Sequence, residues 1–155
     1  MLKIIAVKAA ILFWILMCLS RLQFKCEGVG NLDIVSMVLQ AVLGLMFLMA
    51  AVGKISGSKM HVENFKKWRL PQWFRVVTGI VELVGAAAMI VGFWEQSWAA
   101  VGALILGVTS IGGILTHIRV KDSLKQTFPI IFLGVVSFVV FFLNVAHLSD
   151  FPGFN

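Results

Sequence analysis

Charge is what this sequence has least of. Of its 155 residues only 13% are Asp, Glu, Lys or Arg, 60% are hydrophobic, and the mean hydropathy is +0.99. So few charges cannot cover the surface of a soluble domain of this size, which leaves an integral membrane protein. Acids are scarcer than bases, 7 against 13, for a net charge of +6. The basic residues are spread over several loops rather than gathered in one patch, which argues against nucleic acid. Their ordinary origin is the excess of Lys and Arg in cytoplasmic loops of membrane proteins.

Cysteine is also rare. Cys18 and Cys26 are the whole supply, and they do not form a CxxC. That excludes a CxxC dithiol relay within the chain and a four-thiolate metal site. The pair could form a disulfide if both face an oxidising compartment; the plainer reading makes Cys18 an apolar filler and Cys26 a loop thiol. His61, His117 and His147 fall on different loops and opposite ends of spans, so no metal site is expected. Nothing in the chain signals a flavin, haem or iron–sulfur cluster, and no residue set reads as catalytic.

What the sequence has in abundance is long apolar runs. The central one is WFRVVTGIVELVGAAAMIVGFW, residues 73–94, long enough to cross a bilayer. It carries one acid, Glu82, among the small residues Gly79, Gly85, Ala86 and Ala88. Further spans are expected over 33–53, 99–118 and 128–145, the last entered at Pro129. The expected architecture is all-α: a transmembrane four-helix bundle over residues 33–147, preceded by an additional N-terminal hydrophobic helix over residues 1–22, an anchor or a signal segment. Lys3 and Lys8 precede an apolar run there. Ser20 closes a tolerable cleavage site, but a snorkelling Lys8 makes residues 4–22 long enough to be a retained anchor, the favoured reading.

Between the spans, KISGSKMHVENFKKWRLPQ (residues 54–72) alternates Phe65, Trp68 and Leu70 with Lys and Arg, the pattern of a short interfacial helix that Pro71 ends. It anchors to anionic lipid or docks a membrane or cytoplasmic protein partner. Residues 95–97 make a turn so tight that the spans on either side must be antiparallel neighbours. If the four spans alternate, all the basic residues except Arg21 and Lys25 fall on one side. The positive-inside rule then makes the basic loops cytoplasmic and leaves the C-terminus outside, in what is expected to be a bacterial cell membrane.

Glu82 lies nine residues past Trp73, about 14 Å into the bilayer at 1.5 Å per residue. An ionised carboxylate there costs several kcal/mol unless it is paired, hydrogen-bonded or open to water, each of which is a reading, as is protonation. Ser110 and Thr109 on one span and Ser137 on another reach a similar depth, with Gln40 nearer the outside. Glu82, Gln40, Ser110 and Ser137 are therefore the candidates for lining one intramembrane pocket. The alternative is a structural acid that fixes helix register. Lys54 could snorkel but starts at the inner edge, too far for a comfortable direct pair with Glu82. Asn144 is expected to make a helix–helix hydrogen bond.

Gly44-x-x-Phe47, Gly53-Lys54, Phe65-x-x-Trp68-x-x-Pro71 and Gly79-x-x-Glu82-x-x-Gly85 together resemble the DoxX-like membrane proteins over residues 38–146. The resemblance implies a four-helix transmembrane bundle with the Gly-x-x-Glu-x-x-Gly helix at its centre. It marks Lys54, Pro71, Gly79, Glu82 and Gly85 as motif positions. Relatives include a small subunit of a thiosulfate:quinone oxidoreductase, proteins linked to membrane redox complexes, and receptor-assembly chaperones. Three functions are therefore weighed: a non-catalytic accessory subunit or assembly factor of a membrane complex, a quinone-linked redox subunit using Glu82, and a small transporter. A quinone is the cofactor the second would need.

Overall fold

A computed structural model of the chain describes residues 31–150. The N-terminal segment, with Cys18 and Cys26, lies outside the described residues. Five α-helices follow: α1 (Asn31–Ile55), α2 (Lys59–Lys67), α3 (Gln72–Val91), α4 (Gln96–Arg119) and α5 (Leu124–Asn144), then a 3-10 segment (Val145–Asp150). Four stretches, Ile34–Ile55, Gln72–Val91, Gln96–Arg119 and Leu124–Ser149, are long and apolar enough to cross a membrane. At 20 to 26 residues each, all meet the roughly 20 residues that a hydrocarbon core of about 30 Å requires. The all-α four-span bundle read from the sequence is the fold found.

The helices run up and down in turn. α3 packs against α1 on one side and α4 on the other, and α5 closes the ring against α4 and, more lightly, α1. The centre is filled by Leu43, Phe47, Ala86, Met89, Ala103, Leu106 and Val140. Outside this core, large apolar side chains such as Val84, Val108, Leu115 and Phe132 are exposed, as suits helices whose outer faces meet lipid. Lipid gives apolar side chains no reason to leave it, so close backbone contact has to hold the helices together. Gly102 supplies it: a Cβ there would stand 2.8 Å from the Gly85 carbonyl oxygen and 2.9 Å from the Met89 nitrogen.

The turn between α3 and α4 is as tight as the sequence implied, with Gly92 lying directly on Ala99. α5 differs from expectation. It starts at Leu124, so Pro129 lies inside it rather than at its entrance. The reason is local: the Ser123 carbonyl accepts the backbone N–H groups of Gln126 and Thr127 and the Thr127 hydroxyl, which starts the helix before the proline is reached. The missing N–H of Pro129 then costs one bond, to the carbonyl of Lys125, whose residue is exposed.

Three helices end at the basic end of the bundle, and all three close in the same way. After α1, Ser58 N–H reaches the Gly53 carbonyl and Gly57 N–H that of Lys54; after α2, Leu70 reaches Phe65 and Arg69 reaches Lys66; after α4, Asp122 reaches His117 and Lys121 reaches Ile118. These paired bonds are Schellman closures, which need a left-handed residue just past the cap. Gly57 fills that position with φ 69°, but Arg69 (φ 54°) and Lys121 (φ 56°) fill the other two without being glycine.

Candidate functional site

The buried face of α3 is set by Arg75, Gly79, Glu82, Ala86 and Met89, the spacing that puts residues on one side of a helix. Facing it, α1 presents Gln40, Leu43, Phe47, Ala51 and Lys54. Gly79 is where the two helices meet most closely: a Cβ there would lie 2.9 Å from Ile55 Cγ1, 3.0 Å from Lys54 Cβ and 3.2 Å from the Ala51 carbonyl oxygen. The Lys54 stem therefore starts against bare backbone. Its ammonium is ion-paired with Glu82 Oε1, one helical turn deeper.

This overturns the expectation that Lys54 is too far away to pair. Depth counted along each helix separately leaves Lys54 at the inner edge and Glu82 near the midplane. The absent side chain at Gly79 lets α1 approach, and the four-carbon stem covers the remaining turn inward. The two side chains are only 15% and 3% exposed, so the pair is largely withdrawn from solvent.

The other pocket candidates do not join it. Gln40 gives its Nε2 to the Met89 carbonyl at 2.6 Å, tying the far ends of α1 and α3. Ser110 and Ser137 each donate to the carbonyl four residues back, Leu106 and Leu133, at 2.8 Å. Thr109 does the same with Ile105. Ser110 also packs on Gly134 of α5. Glu82 is thus paired with Lys54, while Gln40, Ser110 and Ser137 donate to backbone carbonyls. Asn144 meets its expectation, donating to Ser36 Oγ at 2.9 Å and to the Val140 carbonyl at 2.8 Å.

Around the ion pair, toward the basic end, the sequence underrated two residues. His61 of α2 fits where Gly53 has no side chain, its ring 2.9 Å from where a Cβ would be. Burial first, then the charges of Lys54 and Arg75, hold the His61 imidazole below its ordinary pKa. Arg75 is buried, with Nε donating to Gln72 Oε1 at 3.0 Å and the guanidinium resting on the Gly57 turn. Its Nη1 and the Glu82 Oε2 are both buried without a hydrogen-bond partner. Among the described residues, no group of His, Cys, Asp and Glu could hold a metal.

A second cluster was missed entirely. Asp122, between α4 and α5, has a side chain only 4% exposed and is ion-paired with Lys67 through Oδ1. Its Oδ2 accepts Trp68 Nε1 at 3.0 Å and His117 Nδ1 at 2.9 Å. The Lys67 hydrogen bond is the main force holding its carboxyl below the usual range, with Trp68 and His117 helping against the opposing effect of burial. The Trp68 ring stands edge-on to His117 at 4.9 Å and tilted on Phe65 at 5.3 Å, and Arg119 donates Nη2 to the Trp68 carbonyl. The signal was present: Asp122 is the one acid in an otherwise basic loop.

The motif residues now account for one another. Gly53 seats His61, Lys54 meets Glu82 across Gly79, Gly85 receives Leu106, Trp68 is held by Asp122, and Pro71 stands at the start of α3. The DoxX-like family profile matches residues 38–140. The chain belongs to the DoxX-like family. It is similar to the uncharacterized protein YdgD of Bacillus subtilis, 31% identical over 108 residues that make up 68% of this chain and 94% of that protein. No solved structure matches it. As a DoxX-like protein with four membrane-crossing helices, it is an integral membrane protein.

Proposed function

We propose that this DoxX-like protein is a non-catalytic accessory subunit or assembly factor that docks a partner on its basic end. The observation behind this is the Asp122 clasp. By gripping Lys67 at the end of α2, Trp68 just past it and His117 from α4, it fixes the interfacial helix and the α4–α5 loop as one platform. Lys59, Lys66 and Lys125 stand exposed on that platform, ready to meet an acidic surface. By the positive-inside rule we place this end in the cytoplasm and the C-terminus outside. Inside the bundle the hydroxyls of Ser110 and Ser137 and the amide of Gln40 are spent on backbone carbonyls, which suits a scaffold better than a chamber for chemistry.

Co-purification from the native membrane tests this. Charge reversal at Lys59, Lys66 and Lys125 should release a partner that the wild type retains. Lys67 is left alone, because its charge belongs to the clasp. A partner kept equally by wild type and variant would refute docking at this surface.

A second reading has one observation in its favour. Glu82 Oε2 is buried and without a partner, where a quinol hydroxyl could donate to it while electrons pass to another subunit. Quinone extracted with the wild type but absent from Glu82→Gln would favour that reading; equal quinone in both would remove it.

A further inference from the structure

The basic end contains an open pocket of about 610 Å³ lined by Lys67, Trp68, Arg69, Arg119 and Val120. Three of these five are cations, and their charges are not equally answered. Lys67 is paired with Asp122. Arg119 gives Nη2 to a neutral carbonyl, and no acid pairs with Arg69 or Arg119 among the described residues. Two guanidinium groups at one opening are the arrangement that planar, multidentate recognition of phosphate uses. Arg69 is kept there in a left-handed conformation that glycine would adopt with less strain.

Next to the pocket, α4 carries an exposed apolar face. On α4, Val108, Ile111 and Leu115 are exposed apolar residues, and Arg119 follows at the same helical spacing, so all four lie on one face. Gly112 leaves a gap in that face: it is exposed, with nothing within 4 Å of where its Cβ would be. From Val108 to Arg119 is about 16 Å along the helix, close to the half-thickness of about 15 Å of a hydrocarbon core. A cationic opening thus stands at the end of an exposed apolar helix face about one leaflet long.

We infer that this is a binding site for an anionic phospholipid, its phosphate held by Arg69 and Arg119 and one acyl chain lying along the exposed face of α4 at Gly112. Charge complementarity selects the anionic class. A choline or ethanolamine headgroup would bring its own cation against Lys67, Arg69 and Arg119, whereas a glycerol headgroup leaves the phosphate charge uncancelled.

The test is native mass spectrometry of the full-length protein reconstituted in vesicles of equal phosphatidylglycerol and phosphatidylcholine, with retained lipid followed through stepwise delipidation. The wild type should hold phosphatidylglycerol last. Arg69→Gly should weaken that retention about fivefold, the effect of one interfacial cation, while easing the left-handed backbone so that folding is not at issue. Gly112→Leu should also weaken it, with every charge in place and no neighbour to displace. The inference is overturned by equal retention in wild type and both variants, or by no preference for phosphatidylglycerol. It is also overturned if millimolar glycerol phosphate displaces the lipid, which would make this a site for soluble phosphate esters. Release of a bound protein by Arg69→Gly with lipid unchanged would overturn it in favour of a protein interface. The Lys59, Lys66 and Lys125 variant leaves the pocket intact, so failure of the partner reading and failure of the lipid reading are told apart.

Discussion

Lys54, in the last turn of α1, turns inward to meet Glu82 on α3. A lysine in that position normally snorkels outward. It does not here because the contact at Gly79 places its stem on the bundle interior and the only acid in the span is one turn away. The pair locks α1 to α3 in register as well as in charge.

Breaking this pair from either side should destabilise the bundle unequally. Lys54→Met leaves the nearly enclosed Glu82 carboxylate without its counter-ion and should cost about 3 kcal/mol. Glu82→Leu leaves a lysine that can still swing out to the headgroups, so it should cost less. The double variant should recover much of the loss. Reversible unfolding in mixed micelles would measure all three; equal, additive losses would contradict a direct pair.

Glycine positions should separate sharply by what faces them. Gly79→Leu drives a side chain into Ile55, Lys54 and the Ala51 carbonyl, and overpacking of that kind costs about 1–3 kcal/mol or more. Gly112→Ala meets nothing within 4 Å and should leave the unfolding midpoint unchanged or slightly raised. A thermal scan of both variants decides it, and similar losses at the two sites would count against the packing described.

The two left-handed cations offer a gain. Arg69→Gly and Lys121→Gly remove a side chain from a conformation that costs L-residues about 1–2 kcal/mol, so each should stabilise by up to about 1 kcal/mol once the extra chain entropy of glycine is set against it. Unfolding measurements that showed both variants weaker than wild type would mean the cations hold more than their backbone geometry.

Acid should act in two windows. The folded protein holds His61 below its ordinary value of 6.5, so the unfolded chain takes up that proton first. Stability therefore falls as the pH drops below 6.5 and levels off once His61 protonates in the fold. Asp122 is held below its ordinary 3.8, so its contribution is present above that value and is lost as the pH falls through the lower folded value. His61→Gln should remove the first decline and Asp122→Asn the second, read from unfolding midpoints from pH 7 down to about pH 2. A variant profile that parallels wild type in its own window would rule out that residue as the source.

The spans were legible because nothing but length and hydropathy is needed to find them, and the interfacial helix because aromatic and basic residues alternate over 65–70. Glu82 stood out as an acid where water is absent. Its partner did not, since pairing depended on a contact between two helices that no count along one helix contains. Ser110 and Ser137 looked like pocket residues from their depth, yet a hydroxyl can always turn to the carbonyl four residues back, and both do. Pro129 misled about the start of α5 because a helix can begin before a proline when the preceding turn supplies its own bonds. Asp122 was hidden by its position in a loop, where an acid is ordinarily just solvated.

The order of the chain gives the Lys54–Glu82 pair a further consequence. Lys54 is made 28 residues before Glu82, so the first core span is complete before the acid that its lysine will meet. An acid at mid-span adds about 2.5–3.5 kcal/mol to the insertion of a lone helix, and α3 can shed that burden as soon as α1 is beside it. The earlier helix thus offers the later one a partner that offsets the cost of its buried acid.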